Sequence, residues 1–306
     1  MRILVVGAGG VGSAIAAIAQ HRSFYDHMTV ADIDPARAAR AVDRLAEPDR
    51  FSSSRVDASD QAAVRDLVRA TRADVVVNAT DPRFNLPIFR AAFDARCMYL
   101  DLAMSLSEPH PDRPYSEPEL FEFPDGIGVI ECVNVEHEEV VLVPREIDCR
   151  RVTFKYGLGA EFIDVLQTLH KLGLDSKERV RVGGAEVAPR DVVAAVLPDP
   201  ATLGDRMTGK TCAGTFVSGT GRDGAPRSVF LYHVADNERT MREYGHQAVV
   251  LQTAINPVAA LELLAAGTWQ GTGVLGPESF PADPFLELLA DYGEPHGVVE
   301  GDPRRG

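Results

Sequence analysis

Long hydrophobic runs, closely spaced cysteines and basic residues are all scarce in this sequence of 306 residues. No apolar run approaches the roughly 20 residues that are needed to span a bilayer. The first residues also lack the charged, apolar and small-residue order of a secretory signal, because their apolar segment leads directly into glycines. A membrane protein and a secreted protein are therefore not expected, and we predict a cytoplasmic globular protein.

The cysteine pattern argues against a zinc knuckle and against a disulfide framework. The four cysteines are far apart and form no CxxC pair: Cys97, Cys132, Cys149 and Cys212. Zinc knuckles need closely spaced ligands, and small disulfide frameworks need a much higher density of cysteine. We therefore predict no metal site of this kind and expect reduced, mostly buried thiols.

The balance of charge excludes another class of partner. The chain has 45 acidic and 31 basic residues, which give a formal net charge of −14 at pH 7. A field of this sign repels phosphate backbones, so nucleic acid is not expected as a partner. A small anionic ligand that is held by backbone N–H groups is still compatible with this charge.

The first hundred residues alternate short apolar runs with helical patterns. The predicted strands are residues 2–6, 28–31, 55–58, 74–78 and 98–102, and the predicted helices are residues 11–20, 36–45, 61–70 and 86–95. Apolar strands that alternate with helices are typical of a parallel sheet covered on both faces. We therefore predict a doubly wound α/β domain over residues 1–104.

The pattern changes after this domain. Residues 105–124 contain five prolines, which predicts a linker. Residues 125–240 are predicted to form a smaller α+β domain, with strands at 128–135, 140–144 and 151–156, a helix at 161–172, and a hairpin of 211–218 and 228–234. Residues 241–306 are predicted to return to the first domain as helices at 248–266, with a break at Asn256-Pro257, and at 284–292.

A GxGxxG motif follows the first predicted strand and opens the first predicted helix. Its residues are Gly7, Ala8, Gly9, Gly10, Val11 and Gly12. In a dinucleotide-binding Rossmann domain, the first glycine allows a tight turn, the second lets the backbone approach a pyrophosphate, and the third packs the helix on the sheet. The helix N-terminus then binds the phosphates. The motif and its context predict a Rossmann doubly wound parallel sheet.

An acidic residue at the end of the second strand fits the same cofactor. Asp32 comes 20 residues after Gly12, which is the spacing expected of the acid that binds the ribose hydroxyls. Its charge repels a 2′-phosphate, so NAD is favoured over NADP. Arg37 and Arg40 follow closely in the sequence, so NADP stays an alternative cofactor.

Two further groups of residues follow predicted strands. Asp57 and Ala58 end the third strand, where Asp57 is placed to bind the adenine amino group. Asn78, Ala79 and Thr80 end the fourth strand. Ligands of open α/β sheets lie across this carboxyl edge, so all five residues are predicted to bind the cofactor.

Two other motifs match known patterns but lack the right context. Residues 204–211 satisfy GxxxxGK[ST], but prolines precede them and a strand-like run follows, whereas a P-loop needs a strand before it and a helix after it. Residues 136–139 read Glu-His-Glu-Glu. On a strand these side chains would alternate between two faces, so a metal site is not predicted there either.

Several longer runs are similar to a known family. They are ILVVGAGGVGSAIA, DVVVNATDPRFNLPIFRAAFDARCMYLDLA, DGIGVIECVNVEHEE, VTFKYGLGAEFIDVLQTLHKLGL, INPVAALELLAAG and GVLGPESF. With these runs the chain resembles the saccharopine dehydrogenase-like oxidoreductases. The resemblance implies NAD(P)-linked oxidation of an amine on an amino-acid-derived substrate, or reduction of the corresponding imine, and it also implies a homodimer.

The sequence departs from this family after the fifth strand. Members of the family continue with a further helix and strand, and then with a glycine-rich loop that has an acid-Pro-Gly core and helps to build the substrate pocket. Here DLAMSLSEPHPDRPY leads almost directly to SEPELFEFPDGIG. Part of the substrate domain is therefore predicted to be absent, and most of the family's substrate residues do not carry over.

Three residues are candidates for the substrate side. Asp101, at the end of the fifth strand, is predicted to be an acid/base or an ammonium anchor, and its alternative is to cap the following loop. Arg206 or Lys210 could bind a substrate carboxylate, and their alternative is to be ordinary surface charges. The chain is predicted to be an oxidoreductase acting on an amino-acid-derived amine, with a polyamine precursor as an alternative substrate. The competing hypothesis is a truncated homologue that binds dinucleotide without turnover.

Overall fold

The computed structural model describes residues 1–102, 115–135, 137–198 and 203–305. Its N-terminal part is a five-stranded parallel sheet in the order β3-β2-β1-β4-β5. The strands are β1 (Arg2–Val6), β2 (His27–Asp32), β3 (Phe51–Arg55), β4 (Val75–Asn78) and β5 (Met98–Asp101). The order reverses between β1 and β4, which is where an open α/β sheet binds its ligand.

Four helices cover the two faces of this sheet, as predicted. They are α1 (Gly10–Ala19), α2 (Pro35–Asp43), α3 (Gln61–Thr71) and α4 (Asn85–Asp94). One core lies between the sheet and α1 and α2, and a second core lies between the sheet and α3 and α4. The doubly wound arrangement predicted from the alternating pattern is confirmed.

The third strand lies earlier than predicted. It was expected at residues 55–58, but β3 runs from Phe51 to Arg55 and contains three serines. Serine has a low preference for strands, so the composition hides this element. The side chain of Ser52 compensates by hydrogen bonding to His27 at 2.8 Å and to Thr29 at 3.0 Å on β2.

The second part of the chain contains three smaller sheets. Their strands are β6 (Glu119–Phe123), β7 (Gly128–Asn134), β8 (Lys155–Tyr156), β9 (Val180–Val182), β10 (Ala185–Val187), β11 (Lys210–Thr220), β12 (Pro226–Asp236), β13 (Gly297–Glu300) and β14 (Arg304–Arg305). The sheet orders are β14-β6-β7-β8, β11-β12-β13 and the hairpin β10-β9. The described helices of this part are α5 (Glu139–Glu146), α6 (Ala160–Lys171), α7 (Pro189–Val196), α8 (Asn237–Tyr244), α9 (Ala248–Ala265) and α10 (Asp283–Asp291).

Several local predictions in this part are wrong. Residues 140–144 were expected to be a strand because of their β-branched side chains, but they belong to α5, where the N–H groups of Val141 and Leu142 donate to the Glu138 carbonyl. The strand expected at 151–156 is only the two residues of β8. β6 falls inside the segment predicted as a linker, of which residues 105–114 lie outside the described ranges.

Helix α9 connects the two parts of the chain. It continues through Pro257, where a break was predicted, and it packs along α1 with Leu251, Ile255 and Val258 fully buried. By length and composition alone α9 is apolar enough to cross a membrane, and half of its residues are buried inside the fold. Its other side contacts β11 and β12, so α9 joins the sheet of the second part to the first domain.

Two partly buried ionic groups fix the C-terminal helices. Arg22, which follows α1, makes two hydrogen bonds of 2.9 and 2.7 Å to Glu262 on α9, and the Tyr292 hydroxyl donates to the same carboxylate at 2.8 Å. In the second group Glu294, which is 1% exposed, accepts from Arg239 and pairs with His233, each at 2.7 Å. These contacts join α1, α8, α9, α10 and β12.

Glu262→Gln is expected to lower the free energy of unfolding at pH 7 by about 2 kcal/mol, because it removes the acceptor charge for Arg22 and Tyr292. Burial opposes ionisation, but the hydrogen bonds from Arg22 and Tyr292 hold the pKa of Glu262 below its usual value. The stabilisation is therefore present above the ordinary glutamate pKa and is lost as the pH falls through the lower pKa of the folded state. Urea unfolding at several pH values measures the difference.

The matched control is Glu287→Gln, which changes an exposed carboxylate on α10. This variant is expected to change the stability by less than about 0.5 kcal/mol. Equal loss in both variants, or a difference between wild type and Glu262→Gln that grows on acidification, would contradict the assignment.

Candidate functional site

The glycine-rich loop lies at the carboxyl end of β1, beside the end of β4. Gly7 has a φ of +103°, which side-chain-bearing residues rarely adopt, and its N–H donates to the Ala31 carbonyl at 2.7 Å. A Cβ on Gly7 would lie 2.5 Å from the Ala79 carbonyl oxygen. The turn therefore needs glycine both for its conformation and for the close approach of β4.

The other two glycines of the motif differ sharply in their surroundings. A Cβ on Gly12 would lie only 1.8 Å from the Gly7 carbonyl oxygen, so this glycine is required for the helix to pack on the loop. A Cβ on Gly9 would meet nothing within 4 Å. The loop is thus closed on its protein side at Gly12 and open to solvent at Gly9, which is the side where a pyrophosphate would approach.

The first turn of α1 provides donors for such a phosphate. Its N-cap is Gly9, no side chain caps the turn, and the turn contains no acidic residue. The backbone N–H groups of Gly10, Val11 and Gly12 therefore belong to an uncapped helix N-terminus with a positive end of the helix dipole. Ser13 instead donates its hydroxyl to the Gly9 carbonyl at 2.7 Å.

Asp32 is held directly beneath the loop. The residue is only 7% exposed. One carboxylate oxygen accepts from the Ala8 N–H and the other from the Asp34 N–H, each at 2.9 Å. Arg37 on α2 approaches within 3.8 Å. Each oxygen keeps a lone pair for a further donor, so the carboxylate can still accept from ribose hydroxyls. The contact with Ala8 was not predicted from the sequence.

The residues predicted around the adenine lie beyond the end of β3. Asp57 accepts from the N–H and the hydroxyl of Ser59 at 2.9 and 2.6 Å, and these hydrogen bonds lower the pKa of Asp57. Ala58 packs against the core between the sheet and α3. Because the strand ends at Arg55, both residues are in a loop and not on the strand as predicted.

Asn78, Ala79 and Thr80 form the opposite wall of the loop. The Ala79 N–H donates to the Val6 carbonyl at 2.8 Å, which extends the pairing of β4 with β1 past the end of the strand. Asn78 is fully buried and accepts from both the N–H and the hydroxyl of Thr80, at 3.0 and 2.6 Å. The structure therefore brings this predicted group next to Gly7.

Asp101 ends β5 and pairs in register with Asn78 on β4. It is exposed and lies near the Tyr99 phenol, whose pKa is raised by burial and further by the charge of Asp101. Tyr99 was not identified as a site residue, although its position two residues before Asp101 places both side chains on one face of the strand.

The two candidate substrate cations lie in the second part of the chain. Arg206 is exposed in a short turn that Asn237 holds through hydrogen bonds to the Gly204 and Met207 carbonyls. Lys210 opens β11 and donates to the Asp125 carbonyl at 2.8 Å. No described contact joins either cation to the glycine-rich loop, and their role stays a prediction. A strand follows the GxxxxGK[ST] match, as expected for a sequence that is not a P-loop.

The geometry assumed for the acidic group before α5 is wrong. His137, Glu138 and Glu139 lie in a turn and at the start of a helix, not on a strand, and their ligating atoms all lie within 4.8 Å of one another. The His137 ring stacks on Phe154 at 3.9 Å. Glu136 lies outside the described residues.

The residues present fit a nicotinamide dinucleotide. The open side of Gly9, the uncapped turn of α1 and the buried carboxylate of Asp32 lie next to one another at the carboxyl edge of the parallel sheet. The open side of Gly9 and the uncapped turn of α1 match the pyrophosphate of the ligand, and Asp32 matches its adenosine ribose.

Substitution of Gly9 and Gly12 by alanine should separate folding from binding. Gly12→Ala is expected to lower the free energy of unfolding by about 3 kcal/mol or more, because its Cβ meets the backbone of Gly7. Gly9→Ala is expected to change stability by less than about 1 kcal/mol, yet to weaken NADH binding because its methyl group occupies the open side. Chemical denaturation and calorimetric titration measure the two effects. Similar stability losses in both variants would contradict this reading of the loop.

Two family models match the chain. The saccharopine dehydrogenase NADP binding domain matches residues 3–121, and the saccharopine dehydrogenase C-terminal domain matches residues 96–294. The second match alone covers well over half of the chain. The resemblance noted in the sequence is therefore confirmed for both parts.

Curated relatives agree with this assignment. Carboxynorspermidine synthase of Vibrio cholerae is 24% identical over 406 aligned positions, which cover 99% of this chain and 98% of the relative. Carboxyaminopropylagmatine dehydrogenase of Synechocystis is 29% identical over 167 positions, covering 54% of this chain and 42% of that relative. Since this chain has only 306 residues, at least 100 positions of the first alignment have no counterpart in it.

The fold also matches a solved structure. Saccharopine dehydrogenase (L-Glu forming) from Saccharomyces cerevisiae superposes with a TM-score of 0.65 at 14% identity, over 98% of this chain and 99% of that one. At this identity the likeness concerns the fold. From the two family matches and the geometry of the glycine-rich loop, the chain belongs to the saccharopine dehydrogenase family of NAD(P)-binding oxidoreductases.

Proposed function

We propose that the chain is an NAD-dependent oxidoreductase that acts on the nitrogen-bearing carbon of an amino-acid-derived amine or imine. The observation that carries the proposal is the arrangement of Asp32 beneath the glycine-rich loop, with its carboxylate bonded to the Ala8 N–H and the open side of Gly9 nearby. Together with the uncapped start of α1, this arrangement fits the pyrophosphate and ribose of a dinucleotide.

The protein's part in cofactor binding follows from these residues. The N–H groups of Gly10 and Val11 at the uncapped start of α1 would donate to the pyrophosphate, and Asp32 would accept from the adenosine ribose. Ala79 and Thr80 would border the nicotinamide half at the end of β4. When bound, the nicotinamide would supply or accept the hydride at its C4 atom.

The preference for NAD rests on the charge at Asp32. Its carboxylate is nearly buried and would repel a 2′-phosphate in the same place, because two like charges at short range in a partly dry site are unfavourable. Arg37 reduces this repulsion from 3.8 Å, and Arg40 lies 3.9 Å from Asp34. We propose that the carboxylate dominates, since Asp32 is nearly buried beneath the loop while both arginines are more than half exposed.

The substrate class is proposed from the relatives and from Asp101. Two curated relatives are named for carboxylated polyamine-type compounds, carboxynorspermidine and carboxyaminopropylagmatine. An exposed carboxylate at the end of β5, next in register to Asn78, is suited to hold the ammonium or iminium group of such a substrate. Asp101 is therefore proposed to anchor the reacting nitrogen.

A second candidate function is dinucleotide binding without turnover. It is favoured by the 100 or more alignment positions that have no counterpart in this chain. It is also favoured because, among the described residues, no contact joins the glycine-rich loop to the cations Arg206 and Lys210, of which Lys210 donates to Asp125 instead. In this case the chain would respond to the level or redox state of the cofactor, and its second part would serve an assembly.

Coenzyme preference tests the first proposal. Wild type is expected to bind NADH more tightly than NADPH by calorimetry, and Asp32→Asn is expected to lower this preference at least ~10-fold, because the charge that repels the 2′-phosphate is removed. The matched control is Asp43→Asn, which neutralises an exposed carboxylate on α2 and should leave the preference unchanged. Tighter binding of NADPH by wild type would contradict the NAD assignment.

Turnover separates the two candidate functions. NAD⁺ reduction is followed at 340 nm with carboxynorspermidine, carboxyaminopropylagmatine and saccharopine as the substrate panel. Reduction that depends on one of these compounds and is lost in Asp101→Asn supports the oxidoreductase. If the protein binds NADH but no compound of the panel causes reduction of NAD⁺, the result supports binding without turnover.

A further inference from the structure

The segment that matches GxxxxGK[ST], residues 204–211, is held by hydrogen bonds at both ends. At its C-terminal end the Thr211 hydroxyl donates to the Gln252 side-chain oxygen on α9 at 2.8 Å, and the Gln252 amide donates to the Thr211 carbonyl at 3.4 Å. At its N-terminal end Asn237, the first residue of α8, holds the turn Gly204–Arg206. The segment is therefore a fixed element of the structure, although a strand follows it where a P-loop needs a helix.

Asn237 is 4% exposed, and both ends of its side-chain amide are used. The nitrogen donates to the Gly204 carbonyl at 3.2 Å and to the Met207 carbonyl at 2.8 Å, and the oxygen accepts from the Ala248 N–H at 3.1 Å. Since carbonyls only accept and a backbone N–H only donates, the orientation of the amide is fixed. One side chain thus joins the turn at residues 204–207 to the first residue of α9.

The start of α9 lies beside the glycine-rich loop. A Cβ on Gly10, in the first turn of α1, would lie 3.7 Å from both methyl groups of Val250, which is two residues after Ala248. We call this first turn of α9, residues 248–250, the cofactor end of α9. Through Asn237, the turn at residues 204–207 is joined to this end of the helix and so to the side of the molecule where the dinucleotide is proposed to bind.

Arg206 has a fixed backbone and an available side chain. Its N–H donates to the Leu203 carbonyl at 2.9 Å, and the residue is exposed. Within the described ranges, no ion pair or side-chain hydrogen bond engages its guanidinium, whereas Arg239 on the neighbouring helix α8 is paired with Glu294. A guanidinium on a fixed turn is suited to bind a carboxylate through two parallel hydrogen bonds.

We propose that Asn237 is a positioning residue for the substrate side: its amide fixes the turn at residues 204–207 at the cofactor end of α9, so that Arg206 binds a carboxylate of the substrate there. The class of ligand is the carboxylate of an amino-acid-derived amine, and this part of the inference rests on the proposed function. The attachment of the turn by Asn237 does not depend on it.

The attachment is tested first in the protein without dinucleotide, with Asn237→Asp. This variant keeps the shape and an oxygen for the Ala248 N–H, but an aspartate, ionised or not, cannot donate to both carbonyls of the turn. Hydrogen exchange of the Arg206 and Met207 amides, measured by NMR, is therefore expected to become at least ~3-fold faster, while exchange of Ala248 stays within about 2-fold. The matched control is Asn256→Asp, which adds the same charge at an exposed position of α9 and should change none of these rates.

The role of Arg206 is tested by calorimetry on the protein saturated with NADH, with carboxynorspermidine, carboxyaminopropylagmatine and saccharopine as the probes. For the probe that wild type binds most tightly, Arg206→Gln is expected to weaken binding at least ~10-fold, because hydrogen bonds from a charged donor to a carboxylate are lost. Asn237→Asp is expected to weaken the same probe about 3- to 10-fold, and the double variant should bind no more weakly than Arg206→Gln, since both changes act through one guanidinium.

Two controls separate positioning from general damage to the fold. Asn237→Asp and Arg206→Gln should each keep the affinity for NADH within about 3-fold of wild type, whereas a disturbed fold would weaken both ligands. Arg242→Gln removes an exposed arginine of α8 and should leave the binding of NADH and of the probe unchanged.

The outcomes separate the two parts of the inference. Equal exchange of the Arg206 and Met207 amides in wild type and Asn237→Asp overturns the positioning role of Asn237. Faster exchange together with unchanged probe binding in Arg206→Gln supports the attachment of the turn and overturns the carboxylate role, as does a wild type that binds none of the probes. Failure of wild type to bind NADH contradicts the proposed function, while the exchange rates still decide whether Asn237 fixes the turn.

Discussion

The close approach of three backbone segments at Gly7, Gly12 and Ala79 is the constraint on which the site depends. A Cβ at Gly12 would overlap the Gly7 carbonyl, and one at Gly7 would crowd Ala79, so β1, α1 and β4 can meet this tightly only through glycine. The same approach places the Ala8 N–H over Asp32. One steric condition thus sets the loop, the orientation of the helix and the position of Asp32.

The sequence was most informative where glycine and apolar runs leave few alternatives. The sheet, its helices and the loop were predicted from the motif Gly7 to Gly12, the strand before it and the acid at Asp32. These features are compatible with few other structures. The serine-rich strand β3 was misplaced, since its pairing depends on side-chain hydrogen bonds to β2 that composition does not reveal. The hydrogen bond between Asn78 and Tyr99 was not predicted, because it forms only when β4 and β5 are paired.

The second part of the chain followed local preference less closely. Its β-branched run at residues 140–144 is helical, and several of its strands have only two or three residues, so tertiary context decides more there than composition does. The alignment with carboxynorspermidine synthase leaves at least 100 positions without a counterpart. We propose that these positions belong to the substrate half of the family's architecture.

The central claim is that the glycine-rich loop binds the pyrophosphate of a nicotinamide dinucleotide. The most direct measurement follows the backbone amide signals of the ¹⁵N-labelled protein during titration with NADH. The account predicts that the largest and saturable shifts occur at Gly9, Gly10 and Val11, whose N–H groups lie at the open loop and the uncapped start of α1. Saturable shifts confined to the second part of the chain, or no shifts in the folded protein, would contradict it.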